Sequence, residues 1–312
     1  MKSSLTWTCV WLGALVPMSA MAAPKVVVSI KPIASLVDGV MAGVGVPTVI
    51  VGAGQSLHTF SMKPSDAKAL NTADVVFWVG EGLETFLDKP IRALSSTATV
   101  VALMDAPGLT LLKGREGGVW EEQADEHADH DHDHSQDHDD HEVDGHLWLD
   151  PKNAKAVVNK VHLTLSQIDT VNAAIYAANA KSLSQRIDVL DLELKQNLAP
   201  IAQRPFIVFH DGYQYFEAHY GLNAVGSMTV SPDRMPGAKR VGEIKDKIRT
   251  LQAACVFAEP QFEPKLIQTL IGGTSAKIGT LDPEASTLPA GPNLYFDLMR
   301  GLANNLRNCL AL

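Results

Sequence analysis

Two α/β lobes, each a mostly parallel sheet flanked by helices, bridged by one long rigid helix: this is the fold class that the 312-residue sequence predicts. Three observations carry that prediction. Short valine-rich runs without polar alternation occur at residues 26–30, 48–51, 75–79 and 99–103, as expected of strands buried on both faces. A second set follows at 206–209, 225–230, 255–258 and 277–281. Between the two sets, Leu183, Ile187, Leu190, Leu194 and Leu198 recur at steps of three and four, the period of a helix with one buried face.

The elements follow in order. Residues 1–23 read as a cleavable secretory signal: Lys2 precedes an apolar stretch from Leu5 that ends in Ala20-Met21-Ala22-Ala23, so the mature chain is expected to be exported. Residues 24–165 form the N-terminal lobe, with helices at 32–42 and 64–71 between its strands. Asp150-Pro151 is an N-cap followed by proline at the first helical position, opening a helix to about Ile168. Residues 166–200 are assigned to the bridging helix. Its long stretch from Val171, ending at Pro200, would span roughly 40 Å at 1.5 Å per residue. Such a strut limits movement between lobes to small shifts. Residues 201–312 form the C-terminal lobe, with helices at 237–251 and 264–271.

Cys9 falls in the leader, leaving Cys255 and Cys309. In an exported chain an even pair is most simply a disulfide; neither cysteine has a second one nearby to suggest a zinc pair. The net charge of −9 is concentrated rather than global. Twelve carboxylates lie between Glu121 and Asp144, and without them acids and bases nearly balance. No basic stripe exists to meet phosphates, so nucleic acid is excluded as a partner.

The 121–144 segment carries His127, His130, His132, His134, His138 and His141 among its acids, with no lysine or arginine. Neutral imidazoles and carboxylates both bind divalent metals, and a polar segment can wrap a cation without a prebuilt cavity, so it reads as an auxiliary loop of weak metal sites. A solvated acidic linker is the alternative, although acids alone would serve that purpose. Outside it, His58 lies just beyond the second strand, His146 directly after the acidic segment, and His210 at the end of the strand at 206–209. Ligands of open α/β sheets bind beyond the carboxyl ends of the strands, where His58 and His210 fall; two of the three come from the first half and one from the second, so a site between the lobes is the economical reading. Asp282, at another strand end, is the candidate fourth ligand, although an aspartate before proline is also a common turn signal. Glu259 ends a strand as well and reads as a group behind the ligands. His162 and His219 lie on helical segments without an evident partner and read as structural.

Several segments resemble a known family: Lys63-Pro64-Ser65-Asp66, Phe77-Trp78-Val79-Gly80, His146-Leu147-Trp148-Leu149, Phe209-His210-Asp211, Pro236-Gly237-Ala238, Cys255 through Phe262, and Gly279-Thr280-Leu281-Asp282-Pro283. Across essentially the whole mature chain they are similar to the zinc-specific solute-binding proteins of bacterial ABC importers, the ZnuA type of the cluster A-I metal receptors. The resemblance implies Zn2+ as transported ligand, held by His58, His146 and His210. It implies a Cys255–Cys309 disulfide, and as partners an ABC permease, contacted directly, with its ATPase. In manganese-type relatives a carboxylate usually stands where His210 does, so histidine here implies zinc. Such zinc proteins often carry an acidic residue before the first histidine; here it is Leu57, which leaves the fourth position to Asp282 or water. The expected function is zinc capture and delivery by a non-enzymatic monomer. Two rivals remain: a periplasmic metal store or metallochaperone serving no importer, and a secreted zinc hydrolase, for which no HExxH helix is present.

Overall fold

A computed structural model describes residues 23–115, 143–229, 237–262 and 265–311. Residues 1–22 and the six histidines of the acidic segment lie outside the described residues. The first sheet contains β1 (Val26–Ile30), β2 (Thr48–Val51), β3 (Val75–Trp78) and β4 (Thr99–Ala102) in the order β2-β1-β3-β4, all parallel. The second repeats the plan with β5 (Phe206–His210), β6 (Ala224–Thr229), β7 (Cys255–Ala258) and β8 (Lys277–Thr280) in the order β6-β5-β7-β8. Every residue of the central strands β1, β3 and β5 is buried, while the edge strands β4 and β8 are largely open. Burial on both faces is why the central strands show no polar alternation.

The helices are α1 (Lys31–Met41), α2 (Pro64–Asn71), α3 (Thr85–Leu94), α4 (Pro151–Ile168), α5 (Ala173–Leu198), α6 (Gln214–Tyr220), α7 (Ala238–Thr250), α8 (Lys265–Ile271) and α9 (Leu294–Leu310). Among the described residues none is long and apolar enough to cross a membrane. The α4 N-cap is as expected, with the Asp150 carboxylate accepting from Lys152 N at 2.8 Å. Three helices were not expected. α3 contains Pro90, which removes one helical hydrogen bond and reads as a break, yet Leu87 and Ile91 bury its face. α6 is only 7 residues long, too short for its period to register. α9 buries Leu294, Leu298, Leu302 and Leu306 against α1 and α5.

α5, at 26 residues, is the connection between the lobes. It buries Tyr176, Leu183, Ile187, Leu190, Leu194 and Leu198 and packs against α1, α4 and α9. One apolar core therefore runs from the first sheet through α1, α4, α5 and α9 to the second sheet. A smaller core, including Ile207, Phe209, Ile244 and Ile248, lies between the second sheet and α7 and α8.

Cys255 of β7 and Cys309 of α9 form a disulfide across a sequence separation of 54. In the chain-entropy account a loop of this size contributes about 4 kcal/mol by restricting the unfolded chain. Replacing both cysteines by serine should lower unfolding stability by about that amount, read from urea unfolding of the oxidised protein and the double variant.

Beyond β8, residues 282–288 leave the second lobe and lie against the first. Trp148 Nε1 donates to the Pro283 carbonyl at 3.0 Å and Gly54 N to the Ser286 carbonyl at 2.9 Å. This strap ties the end of β8 to the first lobe.

Candidate metal centre

Three turns deliver three imidazoles to one point. His58 sits in a 3-10 turn, Leu57–Thr59, after β2; the turn is capped by Ser56, whose side chain accepts from His58 N at 3.3 Å. His146 precedes a second such turn, Leu147–Leu149, whose three residues are fully buried and which runs into the Asp150 cap of α4. His210 is the last residue of β5, beside β6 and β7, where the strand order reverses. One ring nitrogen from each of the three lies within 4.8 Å of the others.

The nitrogens face one another for a definable reason. His146 Nδ1 lies 2.8 Å from Asp144 Oδ1, and His210 Nδ1 lies 2.6 Å from Glu259 Oε1. With a metal bound, an ionised carboxylate at Nδ1 holds the proton there and leaves Nε2 to bind the ion. The two Nε2 atoms are 3.3 Å apart. Two ligands of a tetrahedral ion with bonds of about 2.05 Å are separated by about 3.3 Å, so the spacing fits zinc. Gly212 makes the approach possible. A Cβ at that position would overlap the His210 ring and stand 3.1 Å from His146 Nε2.

Carboxylates surround the cluster. Glu259 is held by the Tyr213 hydroxyl, which donates to it at 3.0 Å, so it stands behind His210. Glu284, on the strap, accepts from Ser56 Oγ at 3.2 Å and Leu57 N at 3.0 Å, and its Oε1 is 3.9 Å from His58 Nε2. Asp282 is engaged within the strap: its carboxylate accepts from the backbone of Ser286 and Thr287 at 2.9 and 3.1 Å and from both hydroxyls. It closes the turn that begins the strap.

Burial sets the proton affinities. It pushes the Glu259 carboxyl up to about 8 and that of Glu284 up to about 7. Burial, reinforced by neighbouring His146, holds the His210 imidazole well below the ordinary histidine value, hence neutral. Burial also disfavours the charged form of His146, but Asp144 outweighs it and leaves that imidazole above the ordinary value.

His58, His146 and His210 are thus together, with Glu259 behind them. Glu284 was not singled out in the sequence; its signal is only its place two residues beyond the strand-ending Asp282. His219, read as partnerless, in fact lies between Asp150 at 2.9 Å and Asp191 at 2.7 Å, joining α6 to α4 and α5. Arg115 was also missed: it pairs with Asp211, next to His210, at 3.2 Å and with Glu217 at 2.6 Å.

The profile of the family described as zinc-uptake complex component A, periplasmic, matches residues 26–309. The high-affinity zinc uptake system protein ZnuA of Brucella suis biovar 1 is 50% identical over 307 residues, covering 92% of this chain and 91% of that one. Its counterpart in Yersinia pestis is 34% identical, covering 93% and 92%. Among solved structures, a ZnuA deletion mutant with zinc bound superposes with a TM-score of 0.75 at 23% identity, covering 93% of this chain and 99% of that one, a likeness of fold. With the family profile spanning both lobes and relatives of 50% and 34% identity matching nearly end to end, the chain belongs to the periplasmic zinc-uptake component A family.

Proposed function

We propose that this protein captures one Zn2+ between its lobes in the periplasm and delivers it to an ABC permease for import. The observation that carries the reading is the facing pair of Nε2 atoms on His146 and His210, each with its Nδ1 held by a carboxylate, and His58 beside them. A separation of 3.3 Å between the two Nε2 atoms suits two ligands on one tetrahedral zinc. His58, His146 and His210 are the ligands, and Glu284 supplies the fourth position. No bond is made or broken, so the protein acts as a receptor rather than a hydrolase. Zinc reaches the permease from a monomer released from its leader, and the ATPase acts only through the permease. The buried contacts of α5 with α1, α4 and α9 support small shifts rather than wide hinge closure. The histidine-acid segment gathers zinc weakly and raises its concentration near His146.

Paired substitutions at the two candidate fourth ligands test the coordination. Glu284→Gln should weaken zinc by about tenfold or more, whereas Asp282→Asn should chiefly lower stability by about 1 kcal/mol through its turn. Zinc competition against a chelator, with unfolding of the metal-free variants, separates the two. The reverse pattern would move the fourth ligand to Asp282.

Acid should release the metal. Each imidazole must be neutral to bind, and the raised pKa of His146 makes it the first to take a proton as the pH falls. Affinity should therefore decline steeply below about pH 6. For the metal-free protein the sign is opposite at this residue: the His146–Asp144 pair stabilises at acid pH and is lost as the pH rises through its elevated pKa. Zinc should also displace protons from Glu259 and Glu284, whose carboxyls burial raises to about 8 and 7. Calorimetry at pH 7 in buffers of different ionisation enthalpy should show net proton release; identical heats in all buffers would contradict it.

A further inference from the structure

Lys31 opens α1 directly behind β1 and is 4 % exposed. Its ammonium is anchored on two backbone carbonyls, Ser286 O at 3.0 Å and Leu288 O at 2.8 Å. Burying an ammonium is costly, and the two carbonyls, with the nearby carboxylates of Asp282 and Glu284, offset that cost. Those two carbonyls belong to the strap that carries Glu284.

The Asp282 carboxylate closes the strap's first turn on Ser286 and Thr287, yet local preference alone does not hold its shape. Ala285 adopts φ +54°, a left-handed conformation that costs a residue with a Cβ roughly 1–2 kcal/mol. Anchors on the first lobe hold it there: Trp148 Nε1 on Pro283 O, Gly54 N on Ser286 O, and the Lys31 ammonium beyond them. Glu284 lies between the first two of these anchors, with its carboxylate on Ser56 and Leu57 and an oxygen 3.9 Å from His58 Nε2.

We propose that Lys31 is a positioning residue for zinc coordination: by pinning residues 286–288 to the first lobe it fixes Glu284 opposite His58 and so sets the affinity and the ligand count of the site. Glu284 enters the chain after β8 of the second lobe but is held by the first. His58 and Glu284 thereby form one preassembled half of the site, facing His210 with Glu259 behind it. Zinc meets a carboxylate already in place, without the entropic cost of ordering the strap on binding.

The inference rests on Glu284 being a zinc ligand, and one set of variants tests the two separately. Wild type, Lys31→Met, Glu284→Gln and the double variant, all as the full chain, are compared for zinc affinity by chelator competition and for the visible spectrum of bound Co2+. Lys31→Met should weaken zinc about tenfold, in the range typical of groups that orient a ligand. It should also shift the Co2+ spectrum in the same direction as Glu284→Gln, and the double variant should bind no more weakly than Glu284→Gln alone. Additive losses, or wild-type affinity and spectrum in Lys31→Met, would overturn the Lys31 assignment while leaving Glu284 as ligand. Wild-type behaviour of Glu284→Gln would remove the ground for both. Should Lys31→Met not fold, Lys31→Gln, which keeps an amide donor of shorter reach, carries the same comparison with the same outcomes.

Discussion

His210→Ala should abolish tight zinc binding, with a loss greater than about 100-fold, since even groups that only orient a metal ligand cost about 10- to 100-fold when removed. The loss has two parts. The Nε2 donor facing His146 at 3.3 Å disappears. Glu259, buried and raised to about 8, also loses its 2.6 Å contact with His210 Nδ1. His146→Ala should behave alike, because it leaves Asp144 without its ring partner at 2.8 Å. Chelator competition at pH 7.5 measures both variants. A variant that keeps wild-type affinity would remove its histidine from the site.

Gly212→Ala should also weaken binding although it removes no ligand. The added Cβ would collide with the His210 ring and crowd His146 Nε2 at 3.1 Å. The backbone cannot easily retreat, because Gly212 N donates to the His210 carbonyl at 2.9 Å and the preceding Asp211 is tied to Arg115. Overpacking of this kind typically costs about 1–3 kcal/mol of stability. Here it should also separate the two imidazoles, weakening zinc by at least about tenfold. Urea unfolding of the metal-free variant, set beside its zinc affinity, distinguishes the effects. A stability loss with unchanged affinity would show that the rings can move without harm to coordination.

The central strands were legible because burial on both faces writes itself as an unbroken apolar run, as in Val26–Ile30 and Phe206–His210. α4 was legible from Asp150-Pro151, and α5 from its leucine spacing. α3 was obscured by Pro90, whose local penalty is overridden by the packing of Leu87 and Ile91. α9 carries a four-residue leucine repeat of its own, and its burial depends on α1 and α5, which are remote in sequence. In the site, the three histidines stood out because each follows a strand or precedes a capped helix. Glu284 did not, because its neighbour His58 is remote in sequence and the two meet only where the strap docks on the first lobe. For the same reason Asp282 was the visible carboxylate: its own position beside Pro283 is local, and so is the turn that it closes. His219 teaches the converse, since both of its carboxylate partners come from other helices.

Zinc X-ray absorption of the protein lacking residues 121–142 tests the central claim most directly, because it observes the first coordination shell without the six loop histidines. The expected result is one zinc per chain with three imidazole nitrogens and one carboxylate oxygen at about 2.0–2.2 Å. An oxygen-dominated shell, or fewer than three imidazoles, would contradict a centre built from His58, His146 and His210.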